Sequence, residues 1–269
     1  MSLPTEIENA VQRAHPSWHA ALNAAIRAVQ QADAHYLNSL VKTEFLPTQD
    51  RLFAAFSLPM DDVRFVLVGE GPYPREESAT GYCFMDGAVQ SLWSDESGGG
   101  LSKKVNRATS LRNFMKMLLV ASRDLSIEDT GVAALSGVAE KVRQSDLDYI
   151  TSLSELQSNM LAKGFLLLNA SPVFRQEVAP IKDARAWQPF LQVIFAELQE
   201  YQQRRQQSMA LLVLWGKIAE QLKQIPATGL FPHIAAEHPY NLSFIANQHM
   251  QDFFRPMELL KKFPQRKFL

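Results

Sequence analysis

Residues 66–73 read VLVGEGPY, a short apolar run that ends in a glycine–proline turn. Apolar runs of this length bounded by turn residues are typical of buried strands. In α/β sheets, functional sites form beyond the carboxyl ends of such strands. Two later runs repeat the pattern: residues 165–169 (FLLLN) end on an amide and residues 234–238 (IAAEH) end on an imidazole. We therefore expect three strand ends that bring an acid, an amide and a histidine to one pocket.

Strand-like and helix-like segments alternate along the chain, which predicts an α/β fold with a mainly parallel four-stranded sheet flanked by helices on both faces. The expected strands are 64–69, 164–170, 210–216 and 233–237. We expect a single domain over residues 1–269, with an N-terminal helical segment at about 4–42 and a core at about 45–254.

Apolar periodicity predicts the helices between these strands. They are expected at 4–42 with a break near Pro16, at 110–119 with Ser110 as its cap, at 145–163, at 187–203 and at 215–223. Three other regions are expected to lack helix. Residues 81–85 are expected to be extended, residues 94–102 to form a flexible loop because of their triple glycine, and residues 127–137 to form a loop.

Composition places the chain among compact globular proteins. It has 269 residues, of which 46% are hydrophobic, and no apolar run approaches membrane-spanning length. Cys83 is the only cysteine, which excludes an intramolecular disulfide and a four-cysteine iron–sulfur cluster. With no secretory pattern at the N-terminus, we expect a cytoplasmic protein. No histidine pair has convincing metal-ligand spacing, so we expect no metal.

Five segments, in order, resemble the motifs of family 1 uracil-DNA glycosylases. They are 69–73 (GEGPY, against the family's GQDPY), 81–84 (GYCF), 164–170 (GFLLLNA), 214–216 (LWG) and 238–243 (HPYNLS, against HPSPLS). The resemblance extends from about residue 45 to residue 254 and implies the glycosylase fold. The family needs no cofactor, and none is expected here.

The departures that bear most on function fall at the first and last segments, where Pro74 also replaces the histidine that follows the family's tyrosine. Gly71 occupies the position of the family's catalytic aspartate, and Tyr240 and Asn241 replace a serine and a proline. Glu70, by contrast, matches the GEAPG layout of the iron–sulfur family 4 enzymes. The resemblance therefore implies that the carboxylate has moved by one position. The alternative is that Glu70 fills the family 1 glutamine position, which contributes through its backbone.

The resemblance implies roles for the residues that would hold an extruded uracil. Phe84 would stack on the base, and Asn169 would read its amide edge. Tyr73 would exclude the methyl group of thymine. His238 would donate to O2 as the uracil anion develops, with backbone amides of Glu70 and Gly71 also facing O2.

Three further residues are implied as DNA contacts. Leu242 would wedge into the duplex, and Ser110 and Ser243 would hold phosphates. The net charge of −1 does not oppose this, because phosphate contacts need only local positive charge. Around Ser110 the local charge is basic, owing to Lys103, Lys104, Arg107, Arg112 and Lys116. These cations could equally be an ordinary solvated helix start.

Each assignment also has a purely structural reading. Phe84 and Leu242 could belong to the core, Asn169 could cap the end of its strand, and His238 could bond to backbone in a turn.

Three functions stay open from the sequence. The first is a uracil-DNA glycosylase that uses Glu70 and His238, acting as a monomer on single- or double-stranded DNA. The second is a catalytically impaired relative that binds DNA or an unknown protein partner. The third is an enzyme of the same fold that acts on another base or N-glycoside, against which the pyrimidine-pocket residues argue.

Overall fold

The computed structural model of the protein describes residues 3–144 and 149–263. Its strands are β1 (Phe65–Gly69), β2 (Phe165–Asn169), β3 (Leu211–Trp215) and β4 (His233–Ala236). Its α-helices are α1 (Thr5–Arg13), α2 (His19–Ala32), α3 (Tyr36–Leu40), α4 (Lys103–Arg107), α5 (Thr109–Ala121), α6 (Val132–Gln144), α7 (Leu153–Ala162), α8 (Pro180–Ala186), α9 (Gln188–Arg204), α10 (Ile218–Leu222) and α11 (Gln248–Phe254). Short 3₁₀ turns lie at Pro16–Trp18, Arg51–Ser57, Met60–Asp62, Pro226–Leu230, Leu242–Ala246 and Arg255–Met257.

The four strands form one sheet in the order β2-β1-β3-β4. β1 runs parallel to β2, with Gly69 paired to Asn169, and parallel to β3, with Val68 paired to Leu214. All five residues of β2 are buried, as expected for a covered parallel strand. The predicted four-stranded, mainly parallel sheet with helices is confirmed.

The described residues divide into two compact units. The first comprises residues 3–86 and 164–234, and the second comprises residues 87–144, 149–163 and 235–263. Both units therefore combine segments that lie far apart in the sequence. The single domain expected over the whole chain stays a prediction.

Aromatic packing and a buried ion pair hold the first unit together. α2 packs against α9, and Phe53 stacks on Phe190 with ring centroids 5.5 Å apart. Asp183 accepts hydrogen bonds from the Tyr36 hydroxyl at 2.7 Å and from Arg175 Nη2 at 2.6 Å and Nε at 3.1 Å. A charge this buried is tolerated because it is paired and hydrogen-bonded. Arg175 lies in the segment that leaves β2, so the pair anchors the chain just beyond Asn169.

The second unit is built around α5. Phe114 on α5 packs edge-to-face against Phe254 on α11, with centroids 5.2 Å apart. Asn159 on α7 donates to the carbonyls of Leu259 at 2.8 Å and Lys261 at 2.7 Å. α5 also packs against the 3₁₀ turn Leu242–Ala246. This last contact places α5 behind the loop in which the sequence predicts the histidine and the wedge.

The structure corrects two predictions of local conformation. Residues 81–85 form a turn rather than an extended segment, because Gly81 has φ +85° and Phe84 has φ +65°. Residues 127–137 do not form only a loop, because α6 begins at Val132. The helix was not predicted because glycine, here Gly137, is unfavourable inside a helix. It is tolerated there because the buried positions around it, Leu135, Val138, Ala139 and Val142, keep helical spacing.

Three other predictions change in detail. The segment 94–102 is a closed loop, in which Ser94 N–H donates to Gly100 at 2.9 Å and Gly99 N–H donates to Glu96 at 2.9 Å. The helix expected at 145–163 begins at Leu153, and residues 145–148 lie outside the described residues. The helix after β3 begins at Ile218.

Within the described ranges, no helix is long and apolar enough to cross a membrane.

Candidate active site

The ends of β1 and β2 bring an acid and an amide to neighbouring positions in the first unit. Gly69 pairs with Asn169, and the pairing continues for one step because Ser171 N–H donates to the Glu70 carbonyl at 3.0 Å. Glu70 thus leaves the sheet directly beside the segment that follows Asn169. The ends of β1 and β2 are therefore neighbours, while a single pocket that includes the histidine stays a prediction.

The side chain of Asn169 is buried, with 4% of its surface exposed. Its Oδ1 accepts no hydrogen bond from any described residue. A buried acceptor without a partner costs about 1–3 kcal/mol, and either a bound water or a ligand can supply the missing donor. This arrangement favours a binding role over a strand cap.

Gly69 is glycine because its neighbours leave no room for a side chain. A Cβ at this position would lie 3.1 Å from Asn169 Oδ1 and 2.9 Å from the Cβ of Cys83. Because Gly69 has no side chain, both the Asn169 side chain and Cys83 can pack directly against the backbone at the end of β1. The sequence predicts a glycine–proline turn after this strand, but it does not predict that the glycine is needed for packing.

Phe84 is held in a strained turn beside the sheet. Its φ of +65° is uncommon for a residue with a side chain, and such strain clusters at functional sites. Cys83 fixes the turn, because its N–H donates to the Leu167 carbonyl at 3.0 Å and its Sγ donates to the Leu67 carbonyl at 3.2 Å. The half-buried Phe84 ring packs edge-to-face against Trp215, with ring centroids 5.3 Å apart. The turn and this ring contact together set the orientation of Phe84.

Tyr73 is a half-buried phenol. Burial, followed by the negative charge of Asp86, raises the pKa of Tyr73 above its ordinary value. The ring is therefore neutral at physiological pH and acts through its shape. Asp86 is itself 3.7 Å from Arg75, which supplies a compensating positive charge.

Glu70 and Gly71 are both exposed at the end of β1. Among the described residues, the Glu70 carboxylate has no hydrogen-bond or ion-pair partner, whereas its backbone carbonyl is tied to Ser171. A carboxylate that is not used to hold the fold is available for chemistry. The backbone bond is consistent with the structural alternative as well, so both readings of Glu70 stay open.

His238 opens an exposed loop in the second unit. The Tyr240 N–H donates to His238 Nδ1 at 3.1 Å. A nitrogen that accepts a hydrogen bond carries no proton, so the imidazole proton lies on Nε2. With Nδ1 accepting this hydrogen bond, Nε2 is the ring nitrogen that can donate.

The same loop carries two large exposed side chains, Tyr240 and Leu242, each with 68% of its surface exposed. Leu242 therefore does not belong to the core, and the structural alternative considered for it is wrong. Ser243 is also exposed, but its hydroxyl is engaged with Glu237. Burial opposes ionisation of Glu237, but hydrogen bonds from its own backbone, Ser243 and Asn247 outweigh burial and lower its pKa.

Ser110 lies in the first turn of α5, half-buried, and is not the cap of the helix, because the cap position is Ala108. The basic side chains near it are partly engaged. Lys103 pairs with Glu96 at 2.8 Å, and Lys104 donates to the Ala88 carbonyl at 2.7 Å. Burial, followed by the charge of Arg112, lowers the pKa of Lys116.

The expected site residues fall in both units. The first unit contains Glu70, Gly71, Tyr73, Phe84 and Asn169. The second contains Ser110, His238, Leu242 and Ser243. The sequence analysis missed Asn113, a fully buried amide on α5 that holds the His238 loop. Its signal was a polar residue within the apolar face of a helix.

Comparison with known proteins identifies the family. No protein-family profile matches the chain. The uracil-DNA glycosylase of Streptococcus mutans is 22% identical over 232 residues, covering 85% of each chain. That of Corynebacterium glutamicum is 26% identical over 241 residues, covering 85% of this chain and 81% of its own. The UNG crystal structure from Nitratifractor salsuginis has 34% sequence identity and a TM-score of 0.85, covering 98% of this chain and 100% of that one.

The chain belongs to the uracil-DNA glycosylase superfamily. The resemblance drawn from the five motifs is thereby confirmed at the level of the superfamily, and the protein is uracil-DNA glycosylase-like. Among the described residues, no three histidine, cysteine, aspartate or glutamate side chains are grouped as metal ligands. The absence of a metal and of a cofactor stays a prediction.

Proposed function

We propose that this protein is a uracil-DNA glycosylase, which hydrolyses the N-glycosidic bond of uracil in single- or double-stranded DNA during base excision repair. The observation that carries the proposal is the buried Asn169 amide, whose Oδ1 has no partner among the described residues. Uracil presents a donor at N3 beside an acceptor at O4. One side-chain amide matches both, accepting from N3–H through Oδ1 and donating to O4 through Nδ2.

Recognition of the base uses three side chains of the first unit. Uracil must leave the base stack, because no side chain reaches the glycosidic bond inside a duplex. Phe84, fixed by its turn and by Trp215, stacks on the extruded ring. Tyr73, a neutral phenol, excludes the C5 methyl group of thymine by its bulk.

Cleavage of the glycosidic bond requires stabilisation of the negative charge on uracil and of the positive charge on the sugar. As C1′–N1 breaks, the electron pair moves to uracil, and His238 Nε2–H donates to O2 where the negative charge collects. Backbone N–H groups of Glu70 and Gly71 assist at the same oxygen. The Glu70 carboxylate stabilises the positive sugar and orients the water, whose oxygen bonds to C1′ as its O–H bond breaks and the proton passes to the carboxylate.

Contacts to the DNA come from the second unit. Leu242, exposed at the tip of its loop, fills the gap that the base leaves in the duplex. Ser110 and Ser243 bind phosphates. Because the Ser243 hydroxyl is engaged with Glu237 in the free protein, it exchanges that acceptor for a phosphate oxygen on binding.

The finer assignment rests on the motifs. The protein is closest to family 1 but carries a family 4-like GEGP segment at 69–72 without the cluster cysteines. It works without a cofactor, as a monomer in the cytoplasm, and any protein partner is unknown.

The test is excision of uracil from a labelled single-stranded oligonucleotide, scored as alkali-labile abasic sites, beside a thymine-containing control strand. Glu70→Gln removes the charge and keeps the shape. Glu77→Gln is the matched control, because it removes an equal charge from an exposed residue of the next turn. We expect uracil-specific cleavage that is lost in Glu70→Gln and kept in Glu77→Gln, with binding of free uracil retained in both.

The alternative function, a catalytically impaired relative, has no support among the matched proteins, which bear the names of glycosylases. Binding of uracil-containing DNA without any cleavage at high protein concentration would establish it. Cleavage that survives in Glu70→Gln would instead retain the enzyme and remove Glu70 from the mechanism.

A further inference from the structure

Asn113 is a fully buried side chain on α5, with 0% of its surface exposed. Its Nδ2 donates to three successive carbonyls of the His238 loop: Pro239 at 2.8 Å, Tyr240 at 3.3 Å and Asn241 at 3.4 Å. Its Oδ1 accepts from Arg112 Nε at 3.3 Å, which fixes the direction in which the amide points. One side chain therefore satisfies a run of loop carbonyls from behind.

The strongest of these bonds acts on the peptide group that joins Pro239 to Tyr240. In a trans peptide the C=O and N–H point in opposite directions. The C=O of this group accepts from Asn113, and its N–H donates to His238 Nδ1 at 3.1 Å. The two hydrogen bonds therefore lie on opposite edges of one rigid plane, so the orientation of the plane is shared between the helix and the imidazole.

We propose that Asn113 is the positioning residue for His238. It orients the peptide group between Pro239 and Tyr240, and the N–H of that group holds the imidazole with Nδ1 as acceptor and Nε2–H as donor. Asn113 touches neither base nor sugar and acts through this peptide alone. The inference rests on the proposed function for its effect on catalysis, while the hydrogen-bond chain is a property of the free protein.

The chemistry favours a neutral donor at this position. Each carbonyl needs a hydrogen-bond donor, and three carbonyls in a row form a negative surface that a carboxylate would repel. Asn113→Asp keeps the shape and removes both donors, and Asn113→Leu keeps the branched outline at a larger volume and removes all polarity. Either change releases the peptide plane and lets the imidazole rotate.

The chain offers a matched control in Asn159, which is also buried in the second unit, with 6% of its surface exposed. Its Nδ2 donates hydrogen bonds to two other carbonyls, those of Leu259 and Lys261. Asn159→Leu therefore creates the same loss of buried hydrogen bonds without touching the His238 loop. A purely structural role for Asn113 predicts the same behaviour from both leucine variants.

The first measurement uses the free protein, without DNA. At pH 8, long-range ¹H–¹⁵N spectra of ¹⁵N-histidine-labelled protein report which ring nitrogen of His238 carries the proton, the signal being assigned by its loss in His238→Gln. Amide hydrogen exchange reports the Tyr240 N–H. We expect an unprotonated Nδ1 in the wild type, and Tyr240 exchange at least about 10-fold faster in Asn113→Leu and Asn113→Asp but unchanged in Asn159→Leu.

The second measurement is single-turnover excision. We expect the rate constant at saturating enzyme to fall at least about 10-fold in both Asn113 variants, because a misdirected donor is lost in the transition state, and to stay within about twofold in Asn159→Leu. Equal rate losses in Asn113→Leu and Asn159→Leu would overturn the proposal. So would a protonated Nδ1 in the wild type, a result that needs no variant to fold.

The two proposals fail separately. If the wild type excises no uracil while the exchange and ring data follow the pattern above, the proposed function fails and the positioning role of Asn113 stands. If the wild type is active and the Asn113 variants retain both slow Tyr240 exchange and full rate, the positioning role fails alone.

Discussion

The carbonyl oxygen of Ser171 lies 3.4 Å from the point where a Cβ on Gly71 would stand. This distance is an ordinary van der Waals contact, and the Gly71 backbone does not need the left-handed conformation that favours glycine. The position that carries an aspartate in family 1 can therefore accept a side chain without moving the strand end. The missing carboxylate is a matter of chemistry rather than of space.

Gly71→Asp is accordingly expected to raise the rate of uracil excision by about 10-fold or more, because it adds a carboxylate that can orient water and stabilise the positive sugar. Single-turnover kinetics on a uracil oligonucleotide measure the gain. Gly71→Asn, which has the same shape without the charge, is the control and should give no gain. An unchanged rate in Gly71→Asp would shift the limitation to the Tyr240–Asn241 loop.

Asn169→Leu is expected to separate stability from function. The leucine removes a buried oxygen that has no partner among the described residues, so the Tm should rise, by about 2–4 °C for each kcal/mol recovered. Excision should fall by about 100-fold or more, since the polar edge of uracil then loses its partner. Differential scanning calorimetry measures the Tm, and excision kinetics on the same preparation measure the loss of rate. A lower Tm would mean that Oδ1 has a stabilising role in the free protein.

Leu242→Ala is expected to distinguish duplex from single-stranded substrate. A wedge helps only where a base leaves a stacked duplex, so kcat/KM should fall about 10-fold on duplex DNA and by less than about twofold on a single strand. The comparison uses one uracil sequence with and without its complement. Tyr240→Ser, which removes the other exposed side chain of the loop, shows whether the wedge is a property of Leu242 alone. Equal losses on both substrates would assign Leu242 a different task.

Stability is expected to fall at alkaline pH. Burial raises the pKa of the Cys83 thiol and of the Tyr36 phenol above their ordinary values of 9.0 and 10.0. The unfolded chain releases the Cys83 proton from about pH 9 and the Tyr36 proton from about pH 10, while the folded chain keeps both. The contribution is thus complete below pH 9 and is lost as pH rises, at about 1.4 kcal/mol per pH unit for each group. Denaturant titrations between pH 8 and 11 measure the slope, which Cys83→Ala should make shallower.

The strand ends could be predicted from sequence because each is a local signal. An apolar run followed by a polar residue places Glu70 and Asn169 at the edge of a sheet wherever the helices lie. The backbone of Phe84 could not be predicted in this way. Its turn depends on Gly81, where a Cβ would lie 2.2 Å from the carbonyl oxygen of Arg51, and no local pattern at residues 81–84 predicts that contact.

The role of Asn113 was hidden for a similar reason. A helix pattern shows that an asparagine interrupts the apolar face of α5, but it does not show which carbonyls meet the amide. Those carbonyls belong to a loop 126 residues further along the chain, in the case of Pro239. Sequence periodicity reports neighbours within one element, and this contact joins two elements that only the tertiary structure brings together.

The same separation affects how the protein is made. At about 5–20 residues per second, a ribosome needs roughly 6–25 s to extend the chain from Asn113 to Pro239. β1 precedes Asn113 in the chain, and β2 and β3 are synthesised within this interval, before the histidine loop can meet its anchor. A nascent or prematurely terminated chain thus lacks the loop that Asn113 holds, so any activity that depends on His238 can begin only in the last part of synthesis.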